Sequence, residues 1–179
     1  MGHRRQICVL AVLSFLLTPG LIPANAQGSI APTYLETPEG IVNEIYSAVS
    51  FKAGQPQPDW ERIRTMFLDK AVVVLRVTRD STAILTVQGF IDDFIRFIEA
   101  SPAKQYGLEE RIVRMKSMVF GNIAQFFVVY EARIPGLSQP PQRGLDSWEL
   151  VKNKGRWWIV AVTNEVPSKD RPFPKEFQE

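Results

Sequence analysis

The chain has 179 residues, of which 45% are hydrophobic and 22% charged, and its formal net charge is +2; this length fits one domain. The only histidine and cysteine are His3 and Cys8, at the start of the chain. Residues 27–179 therefore lack both thiol and imidazole. Because Arg4 and Arg5 also precede them, residues 27–179 carry 19 basic and 19 acidic side chains. Their composition excludes disulfides, zinc sites built on cysteine or histidine, cysteine nucleophiles and serine–histidine–aspartate triads. A net charge of zero also disfavours nucleic acid as a partner.

Residues 1–26 have the pattern of a secretory signal peptide. Two arginines precede the apolar run Ile7–Leu17, and the small residues Ala24-Asn25-Ala26 precede Gln27. The run is too short to span a hydrocarbon core, which needs about 20 residues. We therefore predict cleavage between Ala26 and Gln27, export of a bacterial protein to the periplasm or the medium, and no stable membrane association after cleavage.

The first helix is predicted to begin after the polar lead-in of residues 27–36. Thr37 is a favourable N-cap, a proline follows at the first helical position, and Glu39 lies in the first turn. Apolar residues then recur at helical spacing as far as Val49. The helix is expected to end near Phe51, before a segment rich in proline and glycine.

Two further helices and a pair of short strands follow. Asp59 is predicted to cap a short helix that turns residues as far as Phe67 inward. Residues 71–77 form a run rich in β-branched side chains, and residues 83–87 provide a return strand. An amphipathic pattern from about Thr86 to Ser101 predicts the third helix.

The rest of the domain is predicted to consist of long antiparallel strands. Residues 108–120 and 123–134 are joined by the hairpin turn Gly121-Asn122, and residues 143–152 and 156–166 form a second pair. Glu109, Glu110 and Arg111 give the first of these strands a mixed-charge pattern, which indicates a solvated face without a functional role.

This order of elements predicts an α+β fold, in which three N-terminal helices pack in the concave face of a curved, mostly antiparallel sheet. Such a cone leaves a pocket at its wide end. The domain is predicted to span residues 37–166, and residues 167–179, with three prolines, to form a partly ordered tail.

Two segments are characteristic: residues 143–152 with Gly155–Val160, and Phe67–Val73. The first resembles the closing hairpin, and the second the passage from helix to strand, of the nuclear transport factor 2-like superfamily, whose fold is also called cystatin-like. The resemblance covers roughly residues 37–166. The superfamily includes ketosteroid isomerases, polyketide cyclases of the SnoaL type, scytalone dehydratase, epoxide hydrolases and many members without known activity, so it implies the fold better than the function.

The resemblance to ketosteroid isomerases implies a candidate site. Those enzymes use a carboxylate base and an oxyanion hole made of a tyrosine and a protonated aspartate. Tyr46 and Asp146 match the tyrosine and the aspartate, and strand alternation places Trp148 on the face of Asp146. The general-base position falls on Leu75, which cannot move a proton. The predicted ligand pocket therefore contains Tyr46, Leu75, Asp146 and Trp148, with Tyr46 and Asp146 as weak catalytic candidates.

Structural roles for these residues remain as alternatives. Tyr46 can simply pack its ring and bond to a backbone group, and Asp146 can be a strand-end charge paired with Arg143 or Arg156. Trp157 and Trp158 face opposite sides of the last strand, so one of them is expected on the outer face. Since members of the superfamily often dimerise through the sheet, this residue predicts a homodimer interface.

No cofactor or metal is predicted. Asp92 and Asp93 are adjacent on a helix and do not converge on one ion, and the glycines lack the spacing of a phosphate-binding loop.

The leading hypothesis is binding of a small apolar ligand without turnover. The first alternative is a lyase, isomerase or hydrolase acting on a carbonyl-containing substrate through Tyr46 and a carboxylate, for which Asp69, Glu131 and Glu149 are candidates. The second alternative is a module that serves only dimerisation or protein interaction.

Overall fold

The computed structural model describes residues 32–178. The predicted signal peptide, its cleavage site and most of the lead-in lie outside the described residues. Within them the chain forms four α-helices: α1 (Pro38–Ala48), α2 (Trp60–Arg64), α3 (Val87–Ala100) and α4 (Ala103–Tyr106). It also forms seven strands: β1 (Phe51–Lys52), β2 (Phe67–Thr78), β3 (Ser81–Thr86), β4 (Gly107–Phe120), β5 (Ile123–Arg133), β6 (Gln142–Asn153) and β7 (Arg156–Glu165).

The helices begin where the sequence supplies a cap. The hydroxyl of Thr37 accepts a hydrogen bond from the amide of Gly40 at 3.0 Å, and the carboxylate of Asp59 does the same for the third residue of α2. The threonine that ends β3, Thr86, caps α3 in the same way. α2 ends earlier than predicted, and Phe67 begins β2 instead of extending the helix. Neither α4 nor the two-residue strand β1 was expected.

The seven strands form one sheet in the order β1-β4-β5-β6-β7-β2-β3. The pair β2·β7 is parallel, and the other neighbours are antiparallel. α1 and α3 pack on the inner face, where buried residues such as Ile41, Ile91 and Phe126 form the core. The predicted α+β architecture, with helices against a mostly antiparallel sheet, is confirmed.

One irregularity in β4 decides which of its side chains face inward. Ile112 lies opposite Tyr130 and Arg114 lies opposite Val129, so Val113 is an extra residue in β4, a β-bulge. An extra residue exchanges the two faces of a strand. If alternation is counted back along β4 from the hairpin, each side chain before Val113 therefore lies on the face opposite to the one that this count predicts.

The C-terminal segment contacts the outer face of the sheet. The rings of Phe177 and Phe127 lie 6.0 Å apart, and the ammonium group of Lys116 lies over the Phe177 ring. Asp170 forms an ion pair with Arg79 at the other end of this segment. Residues 167–178 thus lie along the sheet over part of the surface on which the sequence predicted a dimer contact.

Candidate functional site

A cavity of about 220 Å3 lies between the helices and the inner face of the sheet. Much of its wall is apolar and comes from α1, α3, β2 and β7, through the side chains of Ile45, Val49, Phe90, Phe94, Val73 and Val162. Arg76, Gln142 and Val166 line both this cavity and a neighbouring surface groove, so the cavity opens between them. All four predicted pocket residues, Tyr46, Leu75, Asp146 and Trp148, line it.

The centre of the polar wall is a hydrogen bond between two residues 100 positions apart. The hydroxyl of Tyr46, on the buried face of α1, donates to Oδ2 of Asp146 at 2.5 Å. Asp146 lies on the inner face of β6, since its neighbours in register face the helices together with Trp148. Neither Arg143 nor Arg156 pairs with this carboxylate: Arg143 contacts Glu131 instead.

Three further groups complete the polar cluster. Nε1 of Trp148 donates to the Tyr46 hydroxyl at 3.1 Å. Nδ2 of Asn164, on β7, donates to Oδ1 of Asp146 at 2.8 Å and to the hydroxyl of Tyr130 at 3.1 Å. The cluster therefore satisfies its own buried groups without a ligand, and it fixes the orientation of each side chain.

Tyr130 reaches the cluster because the residue opposite it has no side chain. Gly144 of β6 lies across from Tyr130 of β5. A Cβ at Gly144 would lie 2.3 to 2.4 Å from the Tyr130 ring and hydroxyl, which is far too close. Glycine at this position thus lets the tyrosine ring lie flat over β6.

The sequence analysis missed Glu110. Its side chain lines the cavity, because the bulge at Val113 turns Glu110 inward together with Ile112. The prediction that this strand turns its charged side chains to solvent is therefore wrong for Glu110. Glu109 does lie outside the cavity, where it forms an ion pair with Arg133.

Ser50 links the backbone of Glu110 to α1. Its hydroxyl accepts a hydrogen bond from the amide of Glu110 at 2.9 Å and lies 2.8 Å from the carbonyl oxygen of Tyr46, to which it donates. One serine thus holds the end of the helix that carries Tyr46 against the strand that carries Glu110. No local pattern predicts this contact, because it joins residues 60 positions apart.

Both carboxyl groups of the cavity have raised pKa values. Burial raises the pKa of Glu110 to about 8, and repulsion by the charge of Asp146 adds to it. Burial also raises the pKa of Asp146 to about 6, although the hydrogen bonds from Tyr46 and Asn164 act in the opposite direction. At neutral pH Glu110 is thus mostly protonated, whereas Asp146 is mostly ionised.

The other carboxylates considered as a base lie elsewhere. Asp69 is exposed. Glu131 is buried on the outer face of β5, where ion pairs with Arg111 and Arg143 lower its pKa. Glu149 is also exposed. Leu75 contributes only an apolar surface, so Glu110 and Asp146 are the carboxyl groups that residues 32–178 place in the cavity.

The two predicted interface tryptophans lie on opposite faces of β7. Trp157 is buried in the core. Trp158 is half-buried on the outer face, where the guanidinium group of Arg156 lies 3.4 Å from its ring centre and its Nε1 donates to the carbonyl oxygen of Asn153. Of the pair, only Trp158 is available to a partner.

Residues 32–178 contain no helix long and apolar enough to cross a membrane. They also contain no group of three or more histidine, cysteine, aspartate or glutamate side chains placed to hold a metal ion.

No protein-family model matches the chain, and no curated protein matches it significantly. Solved structures do. A protein of unknown function with a cystatin-like fold from Nostoc punctiforme aligns with a TM-score of 0.55 at 9% identity, over 73% of this chain and 89% of that one. A nuclear transport factor 2-like protein of unknown function from Pseudomonas putida aligns with a TM-score of 0.51 at 10% identity, over 68% of this chain and 78% of that one. A second domain of unknown function from Nostoc punctiforme, also with a cystatin-like fold, aligns with a TM-score of 0.51 at 15% identity, over 78% of this chain and 80% of that one. Such similarity shows the fold alone, and it is the fold that the sequence resemblance predicted.

Proposed function

We propose that this chain, which has the nuclear transport factor 2-like fold, binds a small and mainly apolar molecule with one polar group in its cavity. The observation that carries the proposal is the combination of apolar walls with a single ordered polar cluster around Tyr46 and Asp146. Binding sites for small molecules have this composition: an apolar lining for affinity and a few placed polar groups for orientation.

The size of the cavity limits the ligand. A volume of about 220 Å3 lies below the range typical of sites for drug-sized molecules, so we expect a ligand on the order of ten non-hydrogen atoms. The polar cluster is complete without it, so binding does not require rearrangement of Tyr46 or Asp146.

A cavity-filling variant tests the proposal. Leu75→Trp fills the cavity from β2, whereas Val77→Trp, on the same strand but 64% exposed, is the matched control. A panel of small aromatic and alicyclic compounds is screened by thermal shift, and hits are measured by calorimetry. We expect binding to the wild type and the Val77 variant and loss of binding in the Leu75 variant. Equal binding to all three proteins would place the ligand elsewhere.

Proton transfer on a carbonyl-containing substrate is a second candidate, and Glu110 favours it by supplying a carboxyl group that Leu75 cannot. The bond from Tyr46 to Asp146 argues against it, since the tyrosine proton is already used. The test is exchange of α-protons of small ketones in deuterated water, followed by NMR. Exchange above the buffer rate that disappears in Glu110→Gln would support an enzyme.

Self-association is a third candidate, favoured by exposed apolar side chains at the β4–β5 hairpin. Met118 is 70% exposed, Phe120 81% and Ile123 59%, and large exposed apolar groups of this kind often mark contact surfaces. Sedimentation of the wild type and of Phe120→Ser tests it: a dimer that dissociates in the variant supports a homodimer, whereas a monomer at high concentration contradicts it.

Export is likewise a proposal, based on residues 1–26. Expression of the full chain in a bacterium with mass spectrometry of the periplasmic and culture fractions is expected to find a protein that begins at Gln27. A cytoplasmic protein that retains Met1 would contradict it.

A further inference from the structure

The polar groups of the cavity offer few free hydrogen-bond donors. Tyr46 gives its only proton to Asp146, and Trp148 gives its N–H to Tyr46. Asn164 uses both protons of its amide group, one toward Asp146 and one toward Tyr130. The hydroxyl proton of Tyr130 is the donor that remains in this cluster. Outside the cluster, the amide group of Gln142 at the opening and, below its pKa of about 8, the carboxyl proton of Glu110 are further donors that line the cavity.

Acceptors, by contrast, are in excess. A hydroxyl or carboxylate oxygen has two lone pairs, and each bond described above uses only one at the Tyr46 hydroxyl and at each oxygen of Asp146. Glu110, once it is ionised above its pKa of about 8, adds two oxygens that no hydrogen bond from residues 32–178 engages. A ligand that donates several hydrogen bonds would satisfy these oxygens, whereas a ligand that only accepts would leave most of them unpaired.

The charged groups around Glu110 also favour a ligand that carries a positive charge. The groups that face the cavity are Tyr46 from α1, Tyr130 from β5 and Asp146 from β6, while α3 contributes phenylalanine rings. Arg76 of β2 is the cation at the opening, and it is held by Glu165 at 2.6 Å. Two carboxyl groups thus share an apolar space, and within the described chain neither has a counterion.

Aromatic rings surround the cluster. The ring centres of Tyr130 and Trp148 lie 6.1 and 5.9 Å from that of Tyr46. Rings of tyrosine and tryptophan attract organic cations through their electron-rich faces, and the attraction is strongest where water is excluded.

From these observations we infer that the polar group of the ligand is a cation, namely a protonated primary or secondary amine on a small apolar body. The inference rests on the proposed function and specifies its ligand class. An ammonium group donates two or three hydrogen bonds to the free oxygens and supplies the missing positive charge.

Four compounds of one size separate this ligand class from the others. 2-Phenylethylamine is the cation, 2-phenylethanol its neutral isostere, phenylacetone a pure acceptor and phenylacetate an anion. Affinities are measured by calorimetry and ligand-observed NMR at about pH 7 and about pH 9, which bracket the pKa of Glu110 of about 8 and lie above the pKa of Asp146 of about 6. The proteins are the wild type, Glu110→Gln and the control Glu109→Gln.

We expect the amine to bind at least tenfold more tightly than the alcohol, and phenylacetate to bind most weakly. Because ionised Glu110 attracts the ammonium group, amine affinity is expected to rise by up to about tenfold from the lower to the higher pH, as the ionised fraction of Glu110 increases. This rise is expected to disappear in Glu110→Gln and to persist in Glu109→Gln.

Tighter binding of phenylacetone or the alcohol, lost in Leu75→Trp, would overturn the cation inference and leave the proposed function standing. Amine binding that is unchanged in Glu110→Gln would also overturn the inference. Absence of binding by all four compounds at millimolar concentration, in a wild-type protein that unfolds cooperatively, would count against both.

Discussion

Replacing Glu110 with glutamine removes a carboxyl group from the cavity but keeps the shape of the side chain. The pKa of Glu110 is about 8 in the folded protein, against an ordinary value of 4.5. Between these values the folded state keeps a proton that the unfolded chain has lost, so the free energy of unfolding falls as the pH rises. Glu110→Gln abolishes this loss, and the variant is expected to be more stable than the wild type in alkaline solution.

The size of the effect follows from the pKa shift. A rise from 4.5 to about 8 at about 1.4 kcal/mol per pKa unit corresponds to about 5 kcal/mol. The side chain is half-buried beside an open cavity, where water screens part of the penalty, so we expect about 2 to 3 kcal/mol. Asp146 adds a loss of the same sign at lower pH, between 3.8 and about 6.

The assay is urea unfolding followed by tryptophan fluorescence at about pH 5, 7 and 9, a range that brackets the pKa of Glu110. Residues 32–178 contain no histidine, so few other groups titrate there. Glu109→Gln is the control, because Glu109 precedes Glu110 in the chain and pairs with Arg133 outside the cavity. Parallel curves for the wild type and Glu110→Gln would refute the placement of Glu110, as would an equal effect in the control.

Three further variants test the polar cluster, the glycine opposite Tyr130 and the N-cap of α2. Tyr46→Phe is expected to lower the free energy of unfolding by about 1 to 3 kcal/mol and to raise the pKa of Asp146 above its present value of about 6, because a stabilising hydrogen bond is lost. Denaturant unfolding measures the first effect and NMR titration of the carboxyl group the second, and an unchanged titration would contradict the hydrogen bond. Gly144→Ala is expected to cost about 1 to 3 kcal/mol by displacing Tyr130, and restored stability in the double variant with Tyr130→Leu would identify the clash as the cause. Asp59→Ala removes an N-cap and is expected to cost about 1 kcal/mol, whereas Asp59→Asn is expected to be nearly neutral.

The elements of the fold could be predicted because their signals are local. Thr37 is followed by proline and glutamate at the start of α1, and the turns at Gly121 and Gly155 join strands of alternating pattern. Both glycines have positive φ, 57° and 82°, which hairpin turns of this kind require. α4, a single turn of helix, carries too few residues to show any periodicity.

The candidate site could be predicted only in part. The sequence placed Tyr46 and Asp146 on inward faces, but it did not show that the tyrosine proton is given to Asp146. Glu110 was missed because a bulge has no reliable signature in an apolar and charged strand: Val113 looks like any other strand residue. The close approach of Gly144 and Tyr130 depends on register between strands, which a single sequence does not specify.

The extra residue at Val113 also gives β4 one residue more than its pairing with β5 uses. Ile112 and Arg114 lie opposite the consecutive residues Tyr130 and Val129. Deletion of Val113 would therefore restore a regular alternation while Glu110 stays opposite Ala132 and faces the cavity. The length of β4 is thus open to change by one residue without a change in the charge that the cavity presents.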